Sequence, residues 1–552
     1  MKKSAIFLIA AAVSLFGTLP AETLCGVEVF NGWWQANGCF HQGNRWTYPW
    51  TCKSWLPDFP EREPLLGMYN SQETMDKHIC AAAGNGVDFF KILWYNVYDR
   101  VCENYYNNPL LNTGLDHFIN SPESWRMKFM LEFCNTGCFS AQTDAEWMGV
   151  VARWEPYLRH PSYLRVNGKL VLQIHDGGTF WVNSGQNLAK AQWRLNYLRN
   201  MCENVWGIGQ MLIGVGSPAP SASGSWEVQA GFDWKTIYGH PDVAPYSPTL
   251  YPYSVLADAV RVERASHSND VIPYLPMVME GWDARPWKSY DNTRPNFQKA
   301  SNAEFEAELL AAKQIAEASS VFGFPGQPAI SIYNWSEYGE GGYIAPTKGW
   351  GFARLDSIRK IFGAPDQFAG YYVIKNIGSK KSLRVENGST ASGAAIVQQT
   401  YENNIADAPS WWWNVVKLVN GQYRIINVKS GLAMTASGSA AVQAPYQTAD
   451  VFSWTITEQA GGVFTLAGAA SQECLTPVNQ SSSEGAPIML QTCPQTHGFQ
   501  WVLVRPENYG LWECPAPLLA DFNDDCVVNL TDFAFMAGQW MDCNRVPVSS
   551  CP

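Results

Sequence analysis

The sequence has few basic residues and, beyond its first segment, no long apolar run. Its 552 residues include 38 Lys and Arg against 49 Asp and Glu, so the formal net charge is −11. An acidic chain repels phosphate backbones, which argues against a nucleic-acid partner. No later stretch approaches the roughly 20 apolar residues that span a bilayer, so no membrane span is predicted. A glycine-rich phosphate loop after a strand is also lacking, which disfavours a nucleotide-binding domain.

Residues 1–21 have the pattern of a secretory signal peptide. Lys2 and Lys3 precede an apolar run at 5–16, and Ala21 offers a small residue at the cleavage position. All 14 cysteines follow that position, an even number typical of a compartment that permits disulfides. We therefore expect a secreted or cell-surface protein, with a periplasmic location as an alternative.

Residues 22–365 alternate apolar, strand-like runs with amphipathic segments. Eight strands separated by helices predict an α/β fold, a (β/α)₈ TIM barrel, and the alternative is an open doubly wound sheet. The predicted strands are Gly26–Phe30, Val87–Trp94, Lys128–Phe133, Leu170–His175, Met211–Val215, Phe232–Tyr238, Pro273–Val278 and Ala329–Tyr333. The predicted helices include Glu73–Ala83, Asp144–Leu158, Leu188–Val205 and Ala303–Ala318.

Polar and aromatic residues follow the predicted strands, at the end of a barrel where catalytic groups stand. Flat aromatic rings stack on the apolar C–H faces of sugars, and the chain has 25 Trp and 24 Tyr, although aromatics also fill cores. The candidate substrate contacts are Trp94, Tyr95, His175, Trp282, Asp283, Asn334, Trp335 and Tyr343. A structural histidine at 175 and a turn-stabilising pair at 282–283 remain open alternatives.

The segment after the eighth strand contains two glutamates three residues apart, Glu337 and Glu340. On one turn, two such side chains can face the same pocket. Glycosidases use a pair of carboxyl groups, one that protonates the leaving oxygen and one that serves as base or nucleophile. A solvated turn with two surface acids is the alternative interpretation.

The same segment, Trp335-Ser336-Glu337-Tyr338-Gly339-Glu340-Gly341, resembles the Trp-Asn-Glu-Trp-x-Glu-Gly motif of glycoside hydrolase family 99 and its WbsX-like relatives, with family 71 more distant. Ser336 and Tyr338 depart from that motif. Other stretches resemble this group in the same order, and together they extend over about residues 60–362. These stretches are Pro64–Tyr69, Gly86–Tyr95, His160–Leu164, Asn167–Lys169 and Gly281–Asp283.

The resemblance implies a retaining, endo-acting α-mannosidase that needs no metal for its chemistry. Family 99 enzymes are thought to proceed through a 1,2-anhydro sugar. Carried over to this chain, Glu337 would deprotonate the sugar 2-hydroxyl and Glu340 would act as acid and then as base. Attack by a neighbouring hydroxyl benefits from a high effective molarity. The glycan substrate itself is not specified, because residues 336 and 338 differ from the family pattern.

Residues 368–505 contain an internal repeat rich in short strand-like runs. Leu383, Leu432 and Leu475 recur, as do Trp413, Trp454 and Trp501. The pattern resembles the ricin-type β-trefoil, and the resemblance implies a disulfide between Cys474 and Cys493. Such modules bind sugars through an Asp just after the repeated Leu, where this chain has Arg384, Ala433 and Thr476. Either a carbohydrate-binding module with altered pockets or a spacer would fit.

Residues 518–545 contain an oxygen-rich loop with the ligand spacing of a calcium site. Its predicted Ca²⁺ ligands are Asp521, Asn523, Asp525, Val527, Asn529 and Asp532. The loop resembles a single dockerin repeat, which implies a cohesin-like or cell-surface anchoring partner, although dockerins usually have two repeats. Cys526 replaces the usual Gly, and Cys526 and Cys543 could form a disulfide. An acidic solvated tail is the alternative.

These features lead to one function and two alternatives. We expect a secreted glycoside hydrolase that acts on mannose-containing or related polysaccharide, with no cofactor for catalysis and a structural Ca²⁺ in the tail. A non-catalytic carbohydrate-binding protein is the first alternative, and the retained Glu337 and Glu340 argue against it. A WbsX-like glycosyltransferase is the second, and export argues against it because activated sugar nucleotides are mainly intracellular.

Overall fold

The computed structural model describes residues 22–34, 46–48, 53–99, 109–239, 242–287, 294–363, 368–401, 408–418, 420–447, 449–459, 463–493 and 497–504. The predicted signal peptide, the predicted calcium loop and the cysteines at 526 and 543 lie outside these residues. Within the described ranges, no helix is both long and apolar enough to cross a membrane.

The first part of the chain folds as a closed parallel barrel. Eight strands follow the order β7-β6-β5-β3-β2-β1-β9-β8, and a parallel bridge between Lys235 and Tyr274 joins the two ends. This closure rules out the open doubly wound sheet. The strands are β1 Leu24–Val29, β2 Phe89–Trp94, β3 Lys128–Phe133, β5 Lys169–Ile174, β6 Met211–Gly216, β7 Trp234–Thr236, β8 Met277–Met279 and β9 Ala329–Tyr333, with the short β4 Arg165–Val166 antiparallel to β5.

Helices follow every strand of the barrel and cover its outside. Capping boxes begin two of them, where Thr143 pairs with Glu146 and Ser301 with Glu304, so the first backbone N–H groups are satisfied. The helices are α1 Gln72–Ala83, α2 Thr113–Asn120, α3 Asp144–Leu158, α4 Gly177–Asn183, α5 Leu188–Asn200, α6 Trp226–Ala230, α7 Tyr253–Ser266, α8 Asn302–Ala318 and α9 Ala353–Phe362.

Three strands and one helix are shorter than the sequence predicts, and β2 begins at Phe89 instead of Val87. Strand β8 begins at Met277 because Pro273 and Pro276 have no N–H to donate to a ladder. Strand β7 covers only Trp234–Thr236. The α-helical part of α5 ends at Asn200, and a π-helical turn at Met201–Val205 continues it.

The second part is a closed antiparallel barrel with three hairpins. Strands β10, β13, β14, β17, β18 and β21 pair in a ring, and β11–β12, β15–β16 and β19–β20 form the hairpins. This is the predicted β-trefoil architecture. The strands are β10 Gly370–Asn376, β11 Ser382–Val385, β12 Ile396–Gln399, β13 Trp412–Lys417, β14 Tyr423–Asn427, β15 Ala433–Ser437, β16 Ala440–Ala444, β17 Trp454–Glu458, β18 Phe464–Gly468, β19 Cys474–Pro477, β20 Ile488–Gln491 and β21 Trp501–Val504.

One position of the predicted repeat is wrong. The indole N–H groups of Trp413, Trp454 and Trp501 donate to the carbonyls of Leu383, Met434 and Leu475 respectively. Met434, and not Leu432, is therefore the second copy of the repeated residue. The prediction aligned the repeat on leucine residues. At this position the trefoil core accommodates the unbranched side chain of Met as well as the side chain of Leu. The predicted disulfide between Cys474 and Cys493 is confirmed.

The apolar core of the parallel barrel extends onto one face of the trefoil, whose own core is a separate cluster. The ring of Phe352 stacks on Tyr371 with 4.1 Å between centroids and meets Trp412 edge-on at 5.3 Å. The Arg359 guanidinium also donates to the carbonyls of Gly84 and Ala369. Burial of large aromatic surfaces at the junction holds the trefoil against the barrel.

Candidate active site

Buried charges occupy the inside of the parallel barrel. Glu28 on β1, Lys91 on β2 and Glu132 on β3 are fully buried, and the Lys91 ammonium pairs with Glu28 and lies 3.6 Å from Glu132. Burial raises the pKa of Glu28 well above its ordinary value, and the nearby Glu132 adds to that effect. One ammonium thus stands between two carboxyl groups in an environment where an unpaired charge would be costly.

Glu132 connects this cluster to the mouth of the barrel. Its Oε1 lies 2.7 Å from Nδ1 of His175 and accepts a 2.9 Å hydrogen bond from the Gln173 amide. Burial alone would raise the pKa of Glu132, but Lys91 and His175 together lower it below its ordinary value. An ionised carboxylate can only accept, so Nδ1 carries the proton and Nε2 of His175 is directed elsewhere.

The segment after β9 is held rigidly by hydrogen bonds. The amide of Trp335 donates to the Glu28 carbonyl at 2.7 Å, and the Ser336 hydroxyl donates to the Phe30 carbonyl at 2.9 Å. The Glu340 amide donates to the Glu337 carbonyl at 3.1 Å, which closes the turn between the two glutamates. The Glu337–Glu340 turn therefore follows the C-terminal end of a barrel strand with little freedom to move.

A tyrosine contacts each of the two glutamates. The Tyr238 hydroxyl donates to Oε1 of Glu337 at 3.3 Å, and the Tyr333 hydroxyl donates to Oε2 of Glu340. The Asn334 amide approaches the Tyr238 hydroxyl at 3.4 Å, and the His175 ring meets Tyr238 edge-on at 4.8 Å. The structure thus brings together His175, Asn334, Glu337 and Glu340 from the predicted set.

The two tyrosines stay neutral in this position. Burial raises the pKa of Tyr238 well above its ordinary value, and Glu337 raises it further. Burial and Glu340 act in the same way on Tyr333. A neutral phenol can donate a hydrogen bond to a carboxylate, so each glutamate has a donor that is held in place.

A second group of charged residues supports the loop after β9 that carries Glu337 and Glu340. Glu280, which follows β8 and is fully buried, accepts from the Lys299 ammonium and from the Tyr343 amide at 3.0 Å, and Arg354 lies 3.2 Å away. The Lys299 ammonium lies 3.4 Å from the centre of the Tyr343 ring. Burial lowers the pKa of Lys299 to about 7, against the opposing effect of Glu280. Tyr343 therefore helps to hold this loop in place, through its amide and its ring.

Trp282 and Asp283, which were predicted together, have different roles in the structure. The Trp282 ring packs 5.6 Å from Tyr333, beside the glutamates. The Asp283 carboxylate instead pairs with Arg62 and Arg285, and its amide donates to the Glu340 carbonyl at 2.7 Å. This arrangement matches the turn-stabilising alternative for Asp283.

Three predicted substrate contacts are buried against other aromatic rings. Trp94 packs edge-on against Trp154 of α3 at 5.7 Å. The Tyr95 ring meets Phe139 at 5.0 Å, and the fully buried Trp335 lies between Phe90 and His78. Trp94 points to the outside of the barrel, because it lies at an odd spacing from the inward-facing Lys91 and alternate strand residues face opposite sides of the sheet.

The predicted site omitted several residues of the cluster. Tyr238, Glu132, Lys91 and Glu28 are not among the predicted catalytic residues or substrate contacts. One signal was available, since Lys91 is an isolated charge within the apolar strand Phe89–Trp94. Such a charge in a buried strand requires a partner inside the barrel.

A family model matches the second part of the chain. Residues 361–449 and 408–491 match the family described as ricin-type beta-trefoil lectin domain-like. No curated protein matches the sequence significantly.

Solved structures are similar to one part or the other. The GH99 endo-alpha-mannosidase from Bacteroides thetaiotaomicron is 16% identical, covering 62% of this chain and 98% of its own, with a TM-score of 0.41. The Rhizoctonia solani agglutinin is 22% identical over 26% of this chain and 99% of its own, with a TM-score of 0.23. The exo-beta-1,3-galactanase from Clostridium thermocellum is 25% identical over 26% of this chain and 31% of its own, with a TM-score of 0.23.

Internal hydrogen bonds occupy the three trefoil positions where the ricin-type resemblance places a sugar-binding Asp. With the corrected repeat these positions hold Arg384, Thr435 and Thr476. Thr435 donates to the Val451 carbonyl at 2.9 Å, and Thr476 donates to the Gly498 carbonyl at 2.9 Å. The Arg384 guanidinium donates to Ser410 and Gln399 and covers the Trp411 ring at 4.7 Å.

Proposed function

We propose that this chain is a glycoside hydrolase whose catalytic carboxyl groups are Glu337 and Glu340. The observation that carries the proposal is the turn after β9, where a tyrosine donates a hydrogen bond to each glutamate. Paired carboxyl groups at the C-terminal end of a barrel strand match what glycosidic bond cleavage requires. The Trp282 ring is buried against Tyr333 beside them and supports the tyrosine that donates to Glu340.

In the finer proposal, the enzyme is retaining and endo-acting on mannose-containing or related polysaccharide. Glu337 takes the proton of the sugar 2-hydroxyl as that oxygen attacks the anomeric carbon, while Glu340 protonates the departing oxygen. Water then opens the 1,2-anhydro ring, with Glu340 taking its proton and Glu337 returning one to the 2-oxygen. The hydrogen bonds from Tyr238 and Tyr333 fix the orientation of the two carboxyl groups for these roles.

The N-terminal segment and the C-terminal loop would bring the enzyme to its polysaccharide outside the cell. We infer export through residues 1–21, which carry the pattern of a signal peptide. The loop at 521–532 would hold Ca²⁺ through carboxylate and amide oxygens and attach the enzyme to a cohesin-like or cell-surface partner.

The test is release of reducing sugar from a panel of soluble α-mannan, β-mannan, galactan, xylan and sulfated polysaccharides. Wild type is compared with Glu337→Gln and Glu340→Gln, which keep the volume of each side chain but remove its acid–base chemistry. We expect the wild type to release sugar from at least one polymer, and each variant to be roughly 100-fold slower or worse.

Glu155→Gln is the matched control, because Glu155 pairs with Arg159 on the outer face of α3. It should release sugar at the wild-type rate. Activity that survives both Glu337→Gln and Glu340→Gln would refute the assignment of the carboxyl groups. Binding of a polymer without any release would favour a non-catalytic carbohydrate-binding protein.

A further inference from the structure

A cleft of about 830 Å³ opens between the parallel barrel and the trefoil. One wall is the loop at 122–126, which precedes β3, and the other includes Asn420, Tyr446, Gln447, Ala449, Asp450 and Ser453. A loop that precedes a barrel strand lies at the N-terminal end of the barrel, whereas Glu337 follows the C-terminal end of β9. The cleft is therefore a surface separate from the candidate active site.

Each wall of the cleft presents an accessible aromatic ring. Trp125 is 52% exposed, in contrast to core tryptophans such as Trp147, and Tyr446 is half-buried. The guanidinium of Arg126 lies 4.4 Å from the Trp125 ring, and that of Arg424 lies 4.4 Å from the Tyr446 ring. Each ring thus makes a cation–π contact with an arginine, and that contact limits its movement.

A single carboxylate holds both arginines across the domain junction. Glu123 accepts from Arg126 at 2.5 Å and from Arg424 at 2.5 Å, and all three side chains are at most 10% exposed. Arg126 also donates to the Lys417 carbonyl at 3.0 Å. Burial raises the pKa of Glu123, but the two arginines together lower it below its ordinary value. The two aromatic walls are therefore positioned before any ligand arrives.

Polar groups line the same cleft. Asn420, Gln447 and Asp450 are exposed there and offer amide and carboxylate groups. Aromatic faces combined with a few hydrogen-bonding groups suit a sugar, whose C–H faces stack while its hydroxyls bind at the edges. A protein partner would instead require a larger apolar surface than two rings provide.

We infer that this cleft is a second, non-catalytic glycan-binding site shared by the barrel and the trefoil. Its ligand class is an oligosaccharide segment of the polymer that the enzyme cleaves, and that choice rests on the proposed function. The three trefoil positions at 384, 435 and 476 are filled by internal hydrogen bonds, so binding by this module needs another surface. The cleft provides one that exists only when both domains are present.

The experiment is affinity electrophoresis of the full chain in gels that contain soluble α-mannan, β-1,3-galactan or xylan. Glu340→Gln is the starting protein, so that the polymer stays intact. Trp125→Ala and Tyr446→Ala are added to it separately, and Trp193→Ala is the matched control, since Trp193 is 41% exposed on α5. Circular dichroism melting checks that each variant is folded.

We expect at least one polymer to retard the starting protein, and Trp125→Ala and Tyr446→Ala to weaken that binding roughly tenfold or more. Trp193→Ala should bind as the starting protein does. Retardation that both cleft variants retain, or no retardation by any of the three polymers, would overturn the inference. In the chain with intact Glu340, Trp125→Ala should still release sugar, so failure of the cleft and failure of the hydrolase proposal are distinguishable.

Discussion

The hydroxyl of Tyr238 donates a hydrogen bond to Oε1 of Glu337, with 3.3 Å between the two oxygens. Tyr238 follows β7 and Glu337 follows β9, so the contact joins two different strand ends at the mouth of the barrel. His175, held by Glu132, packs edge-on against the Tyr238 ring. Tyr238 therefore links the buried charges inside the barrel to a candidate catalytic carboxylate.

Tyr238→Phe should lower kcat for glycan release about tenfold while leaving the protein folded. The variant keeps the ring packing on His175 but removes the hydroxyl that stabilises the Glu337 carboxylate, an interaction of about 1–2 kcal/mol. Initial rates on the best polymer of the panel measure the effect. The control is Tyr98→Phe on a ring that is 55% exposed. An unchanged kcat would show that this hydrogen bond does not assist the reaction.

Lys91→Met should lower the free energy of unfolding by about 3–5 kcal/mol, because it leaves Glu28 and Glu132 buried without their shared cation. Urea denaturation followed by tryptophan fluorescence measures the change. Lys77→Met serves for comparison, since Lys77 makes only a surface pair with Glu73 and should cost less than about 1 kcal/mol. Equal effects of the two substitutions would contradict the importance of the interior cluster.

Asp283→Asn should lower stability near neutral pH and much less in acid. Burial raises the pKa of Asp283, but Arg285 and Arg62 outweigh it and lower that pKa. The unfolded carboxyl takes up its proton near pH 3.9, whereas the native one does so at lower pH. The contribution is therefore complete above about pH 4 and disappears as the pH falls through the native pKa.

Urea denaturation at several pH values between 7 and 3 tests this dependence on Asp283. We expect a difference of about 3 kcal/mol between wild type and Asp283→Asn at pH 7, as for a broken buried pair, and a smaller difference at pH 3. A difference that stays constant over this range would mean that the ion pairs with Arg62 and Arg285 are not its source.

Replacing both Cys474 and Cys493 with Ala should destabilise the third repeat of the trefoil by about 3 kcal/mol. The disulfide closes a loop with a sequence separation of 19, and losing it returns conformational freedom to the unfolded chain. Hydrogen exchange of the amides in β18, β19 and β20 measures the local effect. Exchange in the barrel strands of the same variant is the internal control and should not change.

Calcium should bind once per chain at 521–532, with a heat signal in isothermal titration against CaCl₂. Asp521→Ala and Asp532→Ala each remove a predicted carboxylate ligand and should abolish that signal. Asp524→Ala is the matched control, because residue 524 falls between ligand positions. If all three variants bind as the wild type does, the loop is not the calcium site.

The candidate site was only partly predictable from sequence, for reasons that individual residues illustrate. Glu337 and Glu340 were found because they are close in the chain and form a recognisable motif. Trp94 was misplaced because strand ends were read without knowing which side of the sheet each side chain faces. Met434 was missed because the repeat was aligned on a residue type, whereas the core selects a volume and a carbonyl position.

The sequence by itself determined the alternation of strands and helices, the positions of most strands and the trefoil repeat, since these follow from local periodicity and short motifs. The resemblance to the ricin-type β-trefoil implied one disulfide. Only the tertiary structure decided which distant residues meet. Closing the barrel brings residues 28, 91, 132 and 175 into one network, and docking the trefoil brings Glu123 to Arg424. Such contacts depend on strand register, inward or outward facing and domain placement, and no local pattern encodes those three quantities.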